Sequence, residues 1–150
     1  MHKFRILRSN LGYAKLSDGA LLGLRVAIFD VKEFESLPTG PRFLVGNVVQ
    51  VSVLECPNEV KELVKSKPIG LPGDALRRLE IWELLDITES APATEECEYC
   101  AHDGRTYLII VEVEPTIVAR TLEYRDEFGN PIYHVRWSQR QVIRVKRSRG

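Results

Sequence analysis

Residues 13–31, YAKLSDGALLGLRVAIFDV, place an Asp-Gly pair between two apolar runs. Glycine reaches positive φ without a Cβ penalty, and an aspartate at the preceding position bonds back to its own turn. Asp18-Gly19 therefore reads as a tight hairpin turn. The run after it is rich in Val, Ile, Leu and Phe, as a buried strand should be. Residues 40–53, GPRFLVGNVVQVSV, then alternate, with Phe43, Val45, Val49, Val51 and Val53 on one face.

The same order recurs downstream. Residues 99–122, YCAHDGRTYLIIVEVEPTIVARTL, carry Asp103-Gly104, and residues 130–145, NPIYHVRWSQRQVIRV, alternate again through Tyr133, Val135, Trp137, Ile143 and Val145. Recurring order of hairpin, long strand, turn and alternating strand predicts a mainly β chain made of two related units. Residues 1–54 form the first unit, 55–78 a linker with one short helix, and 79–150 the second. The two could pack as paired sheets or as one pseudo-symmetric barrel within a single compact domain. Glu33–Gly40 and Arg125–Asn130 read as turns, and Pro115, which cannot donate to a ladder, as a bulge or an edge.

In the linker, Pro57-Asn58 could start a helix over Glu59–Lys65, with Val60, Leu63 and Val64 on one face. Asp74 could cap a second helix through Leu85. The alternation of Leu79, Ile81, Leu85 and Ile87 suits a strand instead, and the repeat favours the strand. Glu89–Glu98, acidic and containing Ser, Thr and Pro, reads as an exposed loop.

Bulk properties bound the function classes. Of 150 residues, 44% are hydrophobic and 28% charged, enough for a core without disulfides. No apolar run approaches a membrane span, and charges interrupt the N-terminus too often for a signal peptide. With three cysteines, an odd number, the expected location is cytoplasmic. Seven Asn plus Gln and one Met hint at a thermophilic source.

The 21 basic and 21 acidic residues cancel overall but are segregated. Residues 1–15 and 134–150 together hold ten basic residues and no acid, so the middle carries the remaining 11 basic and all 21 acidic ones. Along the last strand His134, Arg136, Arg140, Arg144 and Lys146 share one face, and Arg147 and Arg149 follow. Same-face neighbours on a strand lie about 6–7 Å apart, a spacing that suits tracking a phosphate backbone. The simpler reading is a solvated strand face whose charges pair with the acidic middle of the same molecule or of a neighbour, and self-assembly would set them against acids such as Glu33, Glu35, Glu95 or Glu96 across an interface. Trp137 and Tyr133 fall on the opposite, apolar face and read as core.

Cys97-Glu98-Tyr99-Cys100-Ala101-His102 brings two thiols and an imidazole within six residues. With Cys56 they could make a tetrahedral zinc site. A single Cys-x-x-Cys is a weak signal, and Cys56 could as well be a small core residue. The motifs of nucleotide, zinc-protease and serine-hydrolase chemistry do not occur. The expected function is therefore a β module that binds a protein partner or assembles with itself. RNA or single-stranded DNA binding through the basic strand is the second reading, and a zinc-stabilised domain or small metal-dependent enzyme the third.

Overall fold

The computed structural model describes residues 4–147 and is mainly β. β1 (Phe4–Asn10) and β2 (Gly12–Leu16) precede a long hairpin of β3 (Leu21–Leu37) and β4 (Gly40–Glu55). A short helix α1 (Asn58–Glu62) and two 3-10 turns (Ala75–Arg77 and Leu79–Ile81) lead to β5 (Trp82–Leu85), β6 (Ile87–Ala91) and β7 (Ala93–Cys100). A second long hairpin follows, β8 (Thr106–Arg125) and β9 (Pro131–Val145).

The strands form two antiparallel sheets that do not close into a barrel. One runs β4-β3-β2-β6. In the other, β1 and β7 lead to β8, which β9 flanks along its length and β5 along its C-terminal half. Each sheet thus takes an end strand from the other half of the chain, β6 in the first and β1 in the second. The strand pair that crosses between the sheets turns at Leu11 and Pro92. Gly12 sits in that corner, where a Cβ would lie 2.6 Å from the Ala91 carbonyl oxygen, so a side chain there would force the two backbones apart.

The two Asp-Gly turns have the same construction. Gly19 and Gly104 adopt φ of 91° and 82°, and Asp18 and Asp103 Oδ1 accept from the Ala20 and Arg105 N–H groups at 2.9 and 2.8 Å. Gly129, with φ of 84°, closes the β8–β9 hairpin in the same way. Pro115 precedes a register shift between Pro115 and Ile117, as a missing donor requires.

Between the sheets, Leu24, Val26, Ile28, Val31, Phe43 and Val45 meet Ala93, Cys97, Tyr99, Tyr107, Ile109, Val111 and Val113. The Phe43 ring stands edge-on to Tyr99 and Tyr107, with centroids 5.3 and 5.2 Å apart. Each such pair contributes roughly 0.5–1.5 kcal/mol beyond its buried area. A second cluster, Ala14, Leu16, Ala20, Leu22, Val118 and Val135, fills the other end of the sandwich.

Three expectations are corrected. Glu89–Glu98 is not a loop but most of β6 and β7. Ala93, Glu95, Cys97 and Tyr99 point inward in strict alternation, and Glu95 is buried because it has a task. Beside the register shift between Ile28 and Asp30, Glu95 Oε1 accepts the Ile28 N–H at 2.7 Å while Oε2 accepts the Ser9 hydroxyl at 2.8 Å. Second, Glu33–Gly40 is not all turn. β3 continues to Leu37, leaving only Pro38 and Thr39 between the strands. Third, Leu79–Ile87 is neither one helix nor one strand: the 3-10 turns end at Ile81, and strand pairing starts at Trp82, whose indole N–H donates to the Ala75 carbonyl at 2.9 Å. In the linker, α1 ends at Glu62, with Val60 and Val64 buried and Leu63 exposed.

Candidate interaction surfaces

The cysteine set does not assemble. Residues three apart on a strand point to opposite faces. Cys97 therefore lies in the core, and Cys100 faces outward with its sulfur 3.9 Å from Thr106 Oγ1. Burial pushes the Cys97 thiol up to about 11, with Glu95 and Glu96 adding to the effect, so it stays protonated and unreactive at neutral pH. Cys56 lies beside the Tyr133 hydroxyl, and burial pushes its thiol up as well. The His102 backbone N–H donates to Glu33 at 3.3 Å, and its ring Nε2 lies 3.9 Å from the same carboxylate. Among the described residues, no group of three or more His, Cys, Asp or Glu side chains is placed to hold a metal ion.

The basic face of β9 forms as a face and is answered in part from within the chain, at Arg140 and Lys146. His134, Arg136, Arg140 and Arg144 pair across the ladder with Ala119, Ile117, Glu112 and Leu108. Arg140 Nη2 lies 2.6 Å from Glu112 Oε2. Lys146 Nζ and Arg5 Nη2 take the two oxygens of Glu98 at 3.1 and 2.8 Å, and Arg5 and then Lys146 hold that carboxyl below the usual range. Glu96 and Glu114 alternate onto the same side of the sheet, so acids and bases are interleaved there. Arg136, Arg144 and Arg147 have no ion-pair partner among the described residues, and Arg149 lies outside them. The acids expected to meet these arginines across an interface are mostly engaged. Glu95 caps Ile28, Glu33 accepts the Tyr99 hydroxyl at 2.8 Å, and Glu35 pairs with Arg42 at 3.1 Å.

Of the two aromatic residues read as core, Tyr133 points inward, but Trp137 is 38% exposed, with Ile143 and Val145 beyond it also exposed. The inner face of β9 loses its cover after Val135.

Two features escape a strand-by-strand reading of the chain. The first is a buried polar cluster at the Asp18 turn. Asp18 Oδ2 accepts from the Tyr133 hydroxyl at 2.7 Å and from Arg120 Nη1 at 3.0 Å, and Arg120 Nε donates to Glu83 at 2.8 Å. Burial, and then the Asp18 carboxylate, push the Tyr133 phenol well above its ordinary value. The cluster locks the hairpin of one sheet onto β8 and β9 of the other.

The second feature is the free edge of β4. This 16-residue strand ends its sheet, pairing with β3 alone. From Phe43 to Leu54 it carries no charge and no proline. Its outward face shows Leu44, Val48 and Leu54 at 63, 58 and 55% exposure, beside Phe29 of β3. The bulges at Phe29 and Phe34 lie on β3, so β4 runs without interruption from Gly40 to Val53. The β9 edge is as straight but holds Arg136, Arg140 and Arg144. Proteins normally protect such edges with charge, proline or bulges, and β4 has none over its central stretch. No protein-family model, no curated protein and no solved structure matches this chain.

Proposed function

We propose that the chain is an assembly module whose β4 pairs antiparallel with β4 of a second copy, joining two four-stranded sheets into one. The uncharged, uninterrupted edge of β4 carries this reading. Unpaired backbone donors and acceptors along an edge strand are a template for strand addition. A two-fold axis normal to the sheet keeps the outward faces together, so Val48 of the two copies meets at the axis with Leu44 on either side, among the uncharged Gln50 and Ser52.

Charge decides between the edges. β4 meets its own copy without like-charge repulsion along Phe43–Leu54. β9 and β1 would bring Arg136, Arg140 and Arg144, or Arg5 and Arg8, against themselves. The interleaved acids on the β9 face also weigh against a polyanion partner.

The test is sedimentation equilibrium on the wild type and on Val48→Lys. Val48 is exposed, so lysine there should change folding stability by no more than about 0.5 kcal/mol. Near the axis it sets like charges facing each other, which should weaken self-association by at least about tenfold. Arg144→Ala should leave the native mass unchanged. A wild type that stays monomeric at high concentration, or a dimer indifferent to Val48→Lys, would refute the pairing. A mass that falls with Arg144→Ala, or RNA binding that steepens at low salt, would move the interface to β9.

A further inference from the structure

On the outer face of the β5–β8–β9 sheet, away from the β4 edge, the chain forms a trough of about 610 Å³. Its floor follows from one cross-strand row. Leu84 of β5 and His134 of β9 flank Ala119 of β8, so a methyl group sits between two larger side chains. The two 3-10 turns before β5 make the wall, carrying Leu76 and Leu79. Ile117 and Arg136 close the far end. The Trp82 indole, tethered to the Ala75 carbonyl, stands edge-on to the His134 ring at 6.2 Å and fixes it against the floor.

The apolar part of this surface is unusually open. Leu79 and Leu84 are 76 and 74% exposed, and Leu76 and Ile117 are also exposed. Its charge is one-sided. The single acid of the lining, Glu83, is already bonded by Arg120, whereas Arg136 has no ion-pair partner among the described residues. A leucine-lined depression with one free guanidinium at its end is complementary to an apolar chain that ends in an anion. Its volume falls in the range of small-molecule sites, about 300–1,000 Å³.

We infer that the trough binds an aliphatic monocarboxylate, its chain on Leu76, Leu79, Leu84 and Ile117 and its carboxylate on Arg136. Guanidinium and carboxylate match in a forked pair of hydrogen bonds, the geometry a neutral head group lacks. The inference does not depend on pairing at β4.

Dodecanoate below its micelle concentration is the probe, with dodecanol as the neutral control. In Trp137→Phe, Trp82 becomes the sole tryptophan and reports from the trough. Dodecanoate should shift its emission saturably and raise the melting temperature. Dodecanol should bind about tenfold more weakly, the size expected for loss of a charge-assisted bond. Arg136→Gln should weaken dodecanoate by a similar factor and leave dodecanol unchanged, and Leu79→Glu should abolish both. No saturable response in either emission or melting would overturn the inference. So would equal affinity for acid and alcohol, or indifference to Arg136→Gln. A native mass that falls in Leu79→Glu would assign the trough to a second copy of the chain instead.

Discussion

Replacing Arg120 by methionine is expected to cost about 3–5 kcal/mol of folding stability, the size found when one partner of a buried ion pair is removed. The Asp18 and Arg120 side chains are only 6 and 11% exposed. Without the guanidinium, the Asp18 carboxylate keeps the Tyr133 hydroxyl and the Ala20 N–H but loses its countercharge. For a chain of this length each kcal/mol moves the melting temperature by roughly 2–4 °C, so a fall of about 10 °C is expected in thermal denaturation. Asp18→Asn placed on the Arg120→Met background should recover part of the loss, because the uncompensated charge is then gone. Glu83→Gln should cost less than about 1 kcal/mol, since Glu83 is half exposed and water screens its contact. If Arg120→Met melted within a few degrees of wild type, water would have to reach Asp18 and the hairpin would not be held there.

That cluster shows where legibility in the sequence stops. Asp18 is recognisable as a turn residue because its partner in that role, Ala20, is two residues away. Its contacts with Arg120 and Tyr133 span 102 and 115 residues and depend on how two sheets face each other. An isolated arginine within the apolar run of β8 was the available signal. The β4 edge was hidden differently. Its alternation was plain, but whether a strand ends a sheet depends on pairings made by other segments.

The same distinction explains the fold. The two long hairpins are local, each entered from an Asp-Gly turn, closed near a positive-φ glycine, Gly40 or Gly129, and marked by alternation, and both were readable. β6 and β7 were not, because Glu, Ser, Thr and Pro disguised a period-two pattern. Glu95 occupies an inward position that composition assigns to solvent; the Ile28 N–H and the Ser9 hydroxyl make a carboxylate acceptable there. Pro92 does not end regular structure but marks the corner where the chain changes sheets. A Cys-x-x-Cys pair can share a metal only where the chain turns, and once the segment is a strand its two thiols must diverge.

Alkaline pH should unfold the protein in two stages. Cys97 titrates at about 11 in the folded chain against an ordinary 9.0, and Tyr99 at about 12 against 10.0, each because burial opposes the charged form. Tyr133 and Tyr107 are raised too, chiefly by burial. For a group raised on folding, both states hold the proton below the unfolded value, so its contribution is fully present there. Above that value the unfolded chain loses the proton first, and stability falls as pH rises until the folded group titrates. Cys97 therefore acts between about pH 9 and 11, at roughly 1.4 kcal/mol for each pH unit, or about 3 kcal/mol in all. Tyr99 adds a similar loss between about pH 10 and 12, and Tyr133 steepens the fall above 10. Against a typical stability of about 5–15 kcal/mol, these losses bring the chain to the edge of unfolding near pH 11. Melting temperature against pH should be flat from about 6 to 8.5, above the carboxylate range, decline gently from 9 and drop steeply past 10. Because burial raises the Cys56 thiol as well, Cys97→Ala with Cys56→Ala should delay the onset to about 10, the ordinary tyrosine value, although the cavity at Cys97 lowers the whole curve. An onset still at 9 in that double variant would show that the thiols are not the groups responsible.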